Sequence, residues 1–235
     1  WNGDEIFGLK QFKIGKFPTS KFEGSIFKNL RLGKRVEKFV IHELNQHKEI
    51  KILAENVQIQ NEKTTVGEID CILTTAKKPV HLEIIYKFYL YDKSVGTNEL
   101  EHWIGPNRKD SLVAKLIKLK EKQLPLLYNT YTSKFLKKLN LEAKNLQQQV
   151  CFKAQLYVPL KLINNSFKEI NNDCIKGFYI HFNELNQFVD CKFYIPTKIN
   201  WLQEIQTQIT WISYARFYAK IEEIVNQKTA PLCWL

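Results

Sequence analysis

The 235-residue sequence predicts an α/β (α+β) fold: a helix, three antiparallel strands, a second helix and a further strand, then extra C-terminal strands and a long final helix. Two observations carry this prediction. Ile50–Gln60, Val66–Thr74 and Val80–Tyr91 are consecutive strand-like runs, joined by the short polar turns Asn61–Thr65 and Ala76–Pro79. Apolar residues at helical spacing flank them, Val36, Phe39, Val40 and Leu44 before, and Leu112, Val113, Leu116 and Leu119 after.

In chain order, residues 1–22 are aromatic and basic and read as a lead-in of low regularity. The first helix is expected from about Ser25 to His47, with Gly33 letting it approach the sheet closely. The third strand divides by parity, because strand side chains alternate faces. Val80, Leu82, Ile84, Tyr86, Phe88 and Leu90 form an apolar face, whereas His81, Glu83, Ile85, Lys87, Tyr89 and Tyr91 form a chemically mixed one. Asp92–Asn107 is a long loop, and Asp110 is the expected N-cap of a helix over Ser111–Lys122. Pro125 interrupts that helix, so Gln123–Tyr128 begins a new or kinked segment. A helical hairpin over Ser133–Gln149 leads to a strand at Val150–Leu160, and Asn164–Asp173 is a polar loop. Strands are expected at Gly177–Phe182 and Lys192–Ile195. The final helix spans Trp201–Gln227, with Trp211, Tyr214, Ala215, Tyr218, Ile221 and Val225 as its apolar face. No repeat or linker divides the chain, so it reads as one domain with a core at about 25–160 and a C-terminal elaboration at about 161–235.

With 44% hydrophobic and 13% aromatic residues, the composition excludes a disordered chain and supports a sizeable core. The net charge of +11 favours a polyanionic partner, nucleic acid above all, although lysine-rich faces also serve solubility alone. Five scattered cysteines without C-x-x-C spacing argue against a disulfide framework or zinc site and suit a reducing cytoplasm. No apolar run is long enough for a membrane span. The opening Trp1-Asn2-Gly3-Asp4 is not a signal peptide, and without any methionine the natural amino terminus is absent or differently represented.

The candidate site is the acidic cluster on the strands. Glu68 and Asp70 share one face of the second strand, and Glu83 and Lys87 share one of the third; pairing through the Ala76–Pro79 turn can bring both to the same side of a half-buried sheet. Glu37, on the first helix, can lean toward that face, or it is a solvated glutamate paired with Lys34 or Lys38. Asp70 and Glu83, with Glu37 as a further ligand, suit Mg²⁺ or Mn²⁺, hard cations that take oxygen donors. Crowded carboxylates repel without a cation, so they are costly as pure structure. Lys87 would orient water or offset charge on phosphorus. Lys115, Lys118 and Lys122, with Arg108, are the candidate contacts to nucleic-acid phosphates; a solvated basic face is the plainer alternative.

With Gly33/Glu37, Asn56, Gly67-Glu68-Ile69-Asp70 and Glu83…Lys87, the element order resembles the PD-(D/E)XK nuclease superfamily, particularly small endonucleases akin to Holliday-junction resolvases. Gln123…Tyr128 is similar to the glutamine–tyrosine helix motif of RecB-like nucleases. More closely, the chain resembles a bacterial family catalogued as domain of unknown function 1853. That resemblance rests on Arg31-Leu32-Gly33, Gly67-Glu68-Ile69-Asp70, His81-Leu82-Glu83, Lys87-Phe88-Tyr89-Leu90 and Gly105-Pro106-Asn107…Asp110…Lys115. It implies a restriction-endonuclease-like αβββαβ core, a mixed sheet flanked by helices. One departure stands out. The usual E-x-K places lysine at 85, where this chain has Ile85; Lys87 keeps the parity but lies roughly 6–7 Å further on, at about 3.3 Å per residue.

The function expected is a metal-dependent nuclease hydrolysing phosphodiester bonds in DNA, with Asp70, Glu83, Glu37 and Lys87 as its catalytic residues. The alternatives are a catalytically inactive nuclease-like module binding nucleic acid or protein, and acidic residues that only pair with the abundant lysines.

Overall fold

The computed structural model describes residues 1–15, 21–22, 24, 29–76 and 78–235. The lead-in is more ordered than its composition suggests. Glu5–Ile6 (β1) and Leu9–Lys10 (β2) form a tight hairpin whose two turn residues, Phe7 and Gly8, both have positive φ (56° and 76°). The hairpin buries Leu9, and Phe12 follows it into the core while donating its amide to the Val150 carbonyl at 2.8 Å. Part of the first expected helix, residues 25–28, lies outside the described residues; the helix α1 runs Leu32–Asn45. Gly33 has no neighbour among the described residues within 4 Å of where a Cβ would stand, so close approach is not its role.

Three long strands follow: Lys51–Asn61 (β3), Thr64–Thr74 (β4) and Pro79–Tyr91 (β5), antiparallel in sequence as expected. Trp103–Ile104 (β6) pairs antiparallel with the far end of β5. Leu112–Lys118 (α2) then runs into a π-helical turn, Leu119–Gln123, and a 3₁₀ segment, Leu124–Tyr128. Pro125 is accommodated at the start of that segment, where a missing amide costs little. Thr130–Lys138 (α3) is shorter than the expected hairpin, and Gln147–Pro159 (β7) begins three residues before the predicted strand. β7 lies parallel to β5, and Ile175–Tyr179 (β8) parallel to β7. The result is a six-stranded mixed sheet ordered β3-β4-β5-β7-β8, with β6 on β5.

Helices cover both faces. Val36, Val40, Ile41 and Leu44 of α1 pack on Cys71, Leu73, Val80, Leu82 and Ile84. Leu112, Leu116 and Leu119 pack on the opposite face, over Ile85, Tyr89 and Val150. The expected half-buried sheet is therefore corrected: β5 is covered on both sides, and its mixed face is as dry as its apolar one, with His81, Glu83, Ile85 and Tyr89 all buried.

The C-terminal part builds its own small cluster. Lys192–Phe193 (β9) pairs with Ile212–Ser213 (β10), and Tyr214–Asn226 (α4) lies against them. Phe193 and Phe217 stack with centroids 4.0 Å apart. The long final helix is thus corrected: residues 203–211 are irregular, and α4 buries Phe217 and Ile221 rather than the full predicted stripe. Among the described residues no helix is long and apolar enough to cross a membrane.

Candidate metal centre

The sheet forks at the acidic residues. β4 and β5 stay paired from Thr74↔Pro79 to Cys71↔Leu82, and there the ladder ends. The Ile84 amide, past the end of that ladder, donates instead to Asp70 Oδ2 at 2.9 Å. A carboxylate thus takes a strand's place at the fork, which fixes Asp70 at the seam between two diverging strands.

A second irregularity aims the neighbouring carboxylate. Asn56 on β3, between the pairs Glu55↔Cys71 and Val57↔Ile69, has φ of 51°, a conformation Asn tolerates better than most residues. On one side of it Ile52 and Leu73 pack under α1; on the other, Val57, Ile59 and Ile69 pack beneath Leu126 and Leu136, together with Ala54 and Ile72. Ile69 and Ile72 share a side although three residues apart, so the alternation slips by one at Asp70. Gly67 makes room for this arrangement, because a Cβ there would stand 2.7 Å from Leu126 Cδ2. Glu68 is consequently turned toward α1, where Lys34 and Glu37 meet it.

Three carboxylates converge on that side. Glu37, Glu68 and Asp70 each offer an oxygen, and all three oxygens lie within 4.8 Å of one another. Lys34, one turn before Glu37 on α1, sends its ammonium among them. Its Nζ is 2.6 Å from Glu37 Oε2 and 3.8 Å from Asp70 Oδ1, bonds Glu68 directly, and donates to Asn56 Oδ1 at 3.1 Å. Burial would lower the lysine's pKa, but the bonds to Glu37 and Glu68 outweigh it and hold the ammonium charged well above its ordinary range. Burial pushes Glu37 up as well, with Lys34 opposing. Asp70 is pushed up to about 8, first by burial and then by the charge of Glu83.

Glu83, completely buried on the α2 side, is not one of the three converging carboxylates. Its Oε1 is 3.0 Å from His81 Nε2, and its Oε2 accepts from Gln123 Nε2 at 2.7 Å. Gln148 Nε2 reaches the Leu124 carbonyl at 2.5 Å and His81 Nδ1 at 3.1 Å. An amide nitrogen only donates, so His81 Nδ1 accepts and its Nε2–H is left to donate to Glu83. Both oxygens of Glu83 are held in place from two directions.

The predicted basic residues fall in different places. Lys87 Nζ pairs with Asp110 Oδ2 at 2.5 Å, and Asp110 lies so close over Gly105 that any side chain there would collide with it. Asp110 is therefore not the helix cap; Ser111 is, its hydroxyl accepting from the Ala114 amide at 3.1 Å. Arg108 pairs with Asp92 at 2.8 Å. Lys118 and Lys122 are exposed, whereas Lys115 is turned inward and donates to Gln123 Oε1 at 2.6 Å. The structure thus brings Glu37 and Asp70 together as expected; Glu83 lies outside that trio but is the neighbouring charge that acts most strongly on Asp70, and Lys87 is paired with Asp110. Glu68, already part of the acidic cluster read from the sequence, joins Glu37 and Asp70 together with Lys34 and Asn56, while His81 and Gln123 hold Glu83 and Gln148 holds His81. Tyr128, the expected partner of Gln123, is 60% exposed and takes no part. The signal for Lys34 was its i, i+3 spacing to Glu37; nothing in the local pattern pointed to Gln148.

A forked mixed sheet with helices on both faces and carboxylates gathered at the fork defines an α+β protein with an acidic centre. The chain belongs to the family described as domain of unknown function (DUF1853), whose family model matches residues 19–235. Comparisons with curated proteins and with solved structures give no match.

Proposed function

We propose that this protein is a metal-dependent nuclease that hydrolyses phosphodiester bonds in DNA, with its metal at Glu37, Glu68 and Asp70. The observation that carries it is the convergence of those three carboxylates within 4.8 Å. The donor set fits Mg²⁺ or Mn²⁺: all oxygen, all acidic, and already gathered around a cation in the form of the Lys34 ammonium. When bound, such an ion would polarise the phosphoryl oxygen and lower the pKa of an attacking water. Glu83, locked by His81 and Gln123, serves as a fixed anion behind Asp70. Exposed Lys118 and Lys122 would contact backbone phosphates in a salt-sensitive manner. The antiparallel strands followed by a parallel one, and the resemblance to PD-(D/E)XK nucleases in the motif blocks, support the same assignment.

The test is cleavage of linear, branched and single-stranded DNA with Mg²⁺ or Mn²⁺, comparing the native chain with Asp70→Asn. Cleavage that needs metal and falls at least about 100-fold in the variant is expected, the scale of a lost transition-state contact. Equal cleavage by both proteins, or none by the native chain, contradicts the assignment. One observation favours a second possibility, a non-catalytic nucleic-acid-binding module: Lys34 already neutralises part of the acidic group. Salt-dependent DNA binding without any divalent-ion binding would identify that case.

A further inference from the structure

Lys87, which strand parity sets on the same face of β5 as Glu83, is engaged elsewhere. Asp110 holds the Lys87 ammonium, with Gly105 as the floor that lets Asp110 come close. Ile85 is buried beneath α2, in contact with the cluster of Leu112, Leu116 and Leu119. The same helix carries Lys115, between Leu112 and Leu116 on one side and Leu119 on the other. Where Ile85 presents an apolar side chain on the strand, the helix covering it supplies a cation.

That cation is directed by the π-helical turn. Leu119–Gln123 is wound more loosely than α2, a local defect often found at functional sites. Gln123, at its end, spans two partners: its Oε1 accepts from Lys115 Nζ at 2.6 Å and its Nε2 donates to Glu83 Oε2 at 2.7 Å. The amide therefore links the ammonium to Glu83, whose chain neighbour Ile84 donates its amide to Asp70 Oδ2 at 2.9 Å. Lys115 is only half-buried, and one acceptor leaves two of its three N–H groups available. Burial lowers its pKa; Lys118 and Lys87 act in the same direction, and Glu83 and Asp70 oppose it.

We propose that Lys115, positioned by Gln123, is the lysine of this site and contacts the phosphate being cleaved, while Lys87 is a structural partner of Asp110. This rests on the nuclease assignment above. In the hydrolysis, a bond forms from the water oxygen to phosphorus as the ester P–O bond breaks. One water proton ends on the leaving alcohol, and the other stays with the phosphate product. Lys115 offsets the negative charge that grows on the phosphoryl oxygens during that exchange.

The experiment is single-turnover cleavage of DNA with Mg²⁺ by the native chain, Lys115→Met, Lys115→Arg, Gln123→Ala and Lys87→Met, with Mn²⁺ affinity and melting temperature measured on the same samples. Lys115→Met should lose about 100-fold or more in rate while its Mn²⁺ affinity stays within about threefold. Lys115→Arg should recover part of the rate, Gln123→Ala should lose about tenfold, and Lys87→Met should lose less than that. If Lys115→Met does not fold, the order Lys87→Met above Gln123→Ala in rate supports the proposal, and the reverse order overturns it. The proposal alone fails if Lys115→Met cuts within threefold of native, or if Lys87→Met is the worse of the two. Both it and the nuclease assignment fail if the native chain cuts nothing.

Discussion

The two carboxylate groups at the fork are built on opposite principles. On the α2 side, Glu83 is wholly buried and both its oxygens are bonded, to His81 and to Gln123. A buried charge satisfied this way is rigid and has nothing to exchange. On the α1 side, Glu37, Glu68 and Asp70 crowd together and share one ammonium, Lys34, on a flexible stem reaching from partly exposed surface. Burial and crowding hold Asp70 and Glu37 back from ionising beside a single ammonium, and a divalent cation would favour their charged forms better than a lysine does. The rigid acid shapes the field; the crowded acids are the ones able to take a ligand.

The largest consequence concerns metal affinity. Asp70→Ala should weaken Mn²⁺ binding by more than about 100-fold in a calorimetric titration, whereas Glu83→Gln should cost about tenfold, as outer partners of metal ligands do. Equal losses would erase the distinction between the two groups.

Gly67→Ala tests the packing that turns Glu68 toward α1. A methyl 2.7 Å from Leu126 Cδ2 forces one of the two aside, and overpacking of this kind costs about 1–3 kcal/mol. Denaturant unfolding should show that loss, together with weaker Mn²⁺ binding.

Lys34→Met should move metal affinity the opposite way. Without the competing ammonium, Mn²⁺ should bind about tenfold more tightly, about 1.4 kcal/mol. The metal-free variant should melt below the native chain, because its acids are left unneutralised.

The smallest effect is on pH dependence. The folded pKa of Asp70 is raised above its ordinary 3.8 to about 8, so between these values the folded state holds a proton that the unfolded chain releases. Stability then falls as pH rises through that window and levels off above it. Glu37, also raised, acts in the same sense. In metal-free melts from pH 4.5 to 8.5, Asp70→Asn should flatten part of the native decline; a native decline unchanged in the variant would remove Asp70 as its source.

Much of the fold was legible because it depends on local pattern: the three strands β3, β4 and β5, α1 and the α2 region all stand near their predicted positions. Asp70 and Glu37 were legible for the same reason, since short carboxylate motifs sit on elements whose faces can be counted. The counting failed at Asp70, around which Ile69 and Ile72 share a side, and at Asn56, which lies across from it on β3 with positive φ. No alternation rule anticipates such a slip. The inward turn of Lys115 was hidden because it depends on a π-helical turn and on Gln123, eight residues away. The final helix was overextended because Phe193 and Phe217 pair through tertiary contact that periodicity does not register. Asp110, by contrast, has the right chemistry for a cap and is diverted by Lys87.

The central claim, that Glu37, Glu68 and Asp70 form a divalent-metal centre, is tested most directly by crystals of the native protein grown with Mn²⁺ and measured for anomalous scattering. The account predicts one anomalous peak within coordination distance of all three carboxylates, with the Lys34 ammonium moved out of the group. Lys34 remaining among the carboxylates with no peak beside it, or a peak at Glu83 instead, would contradict it.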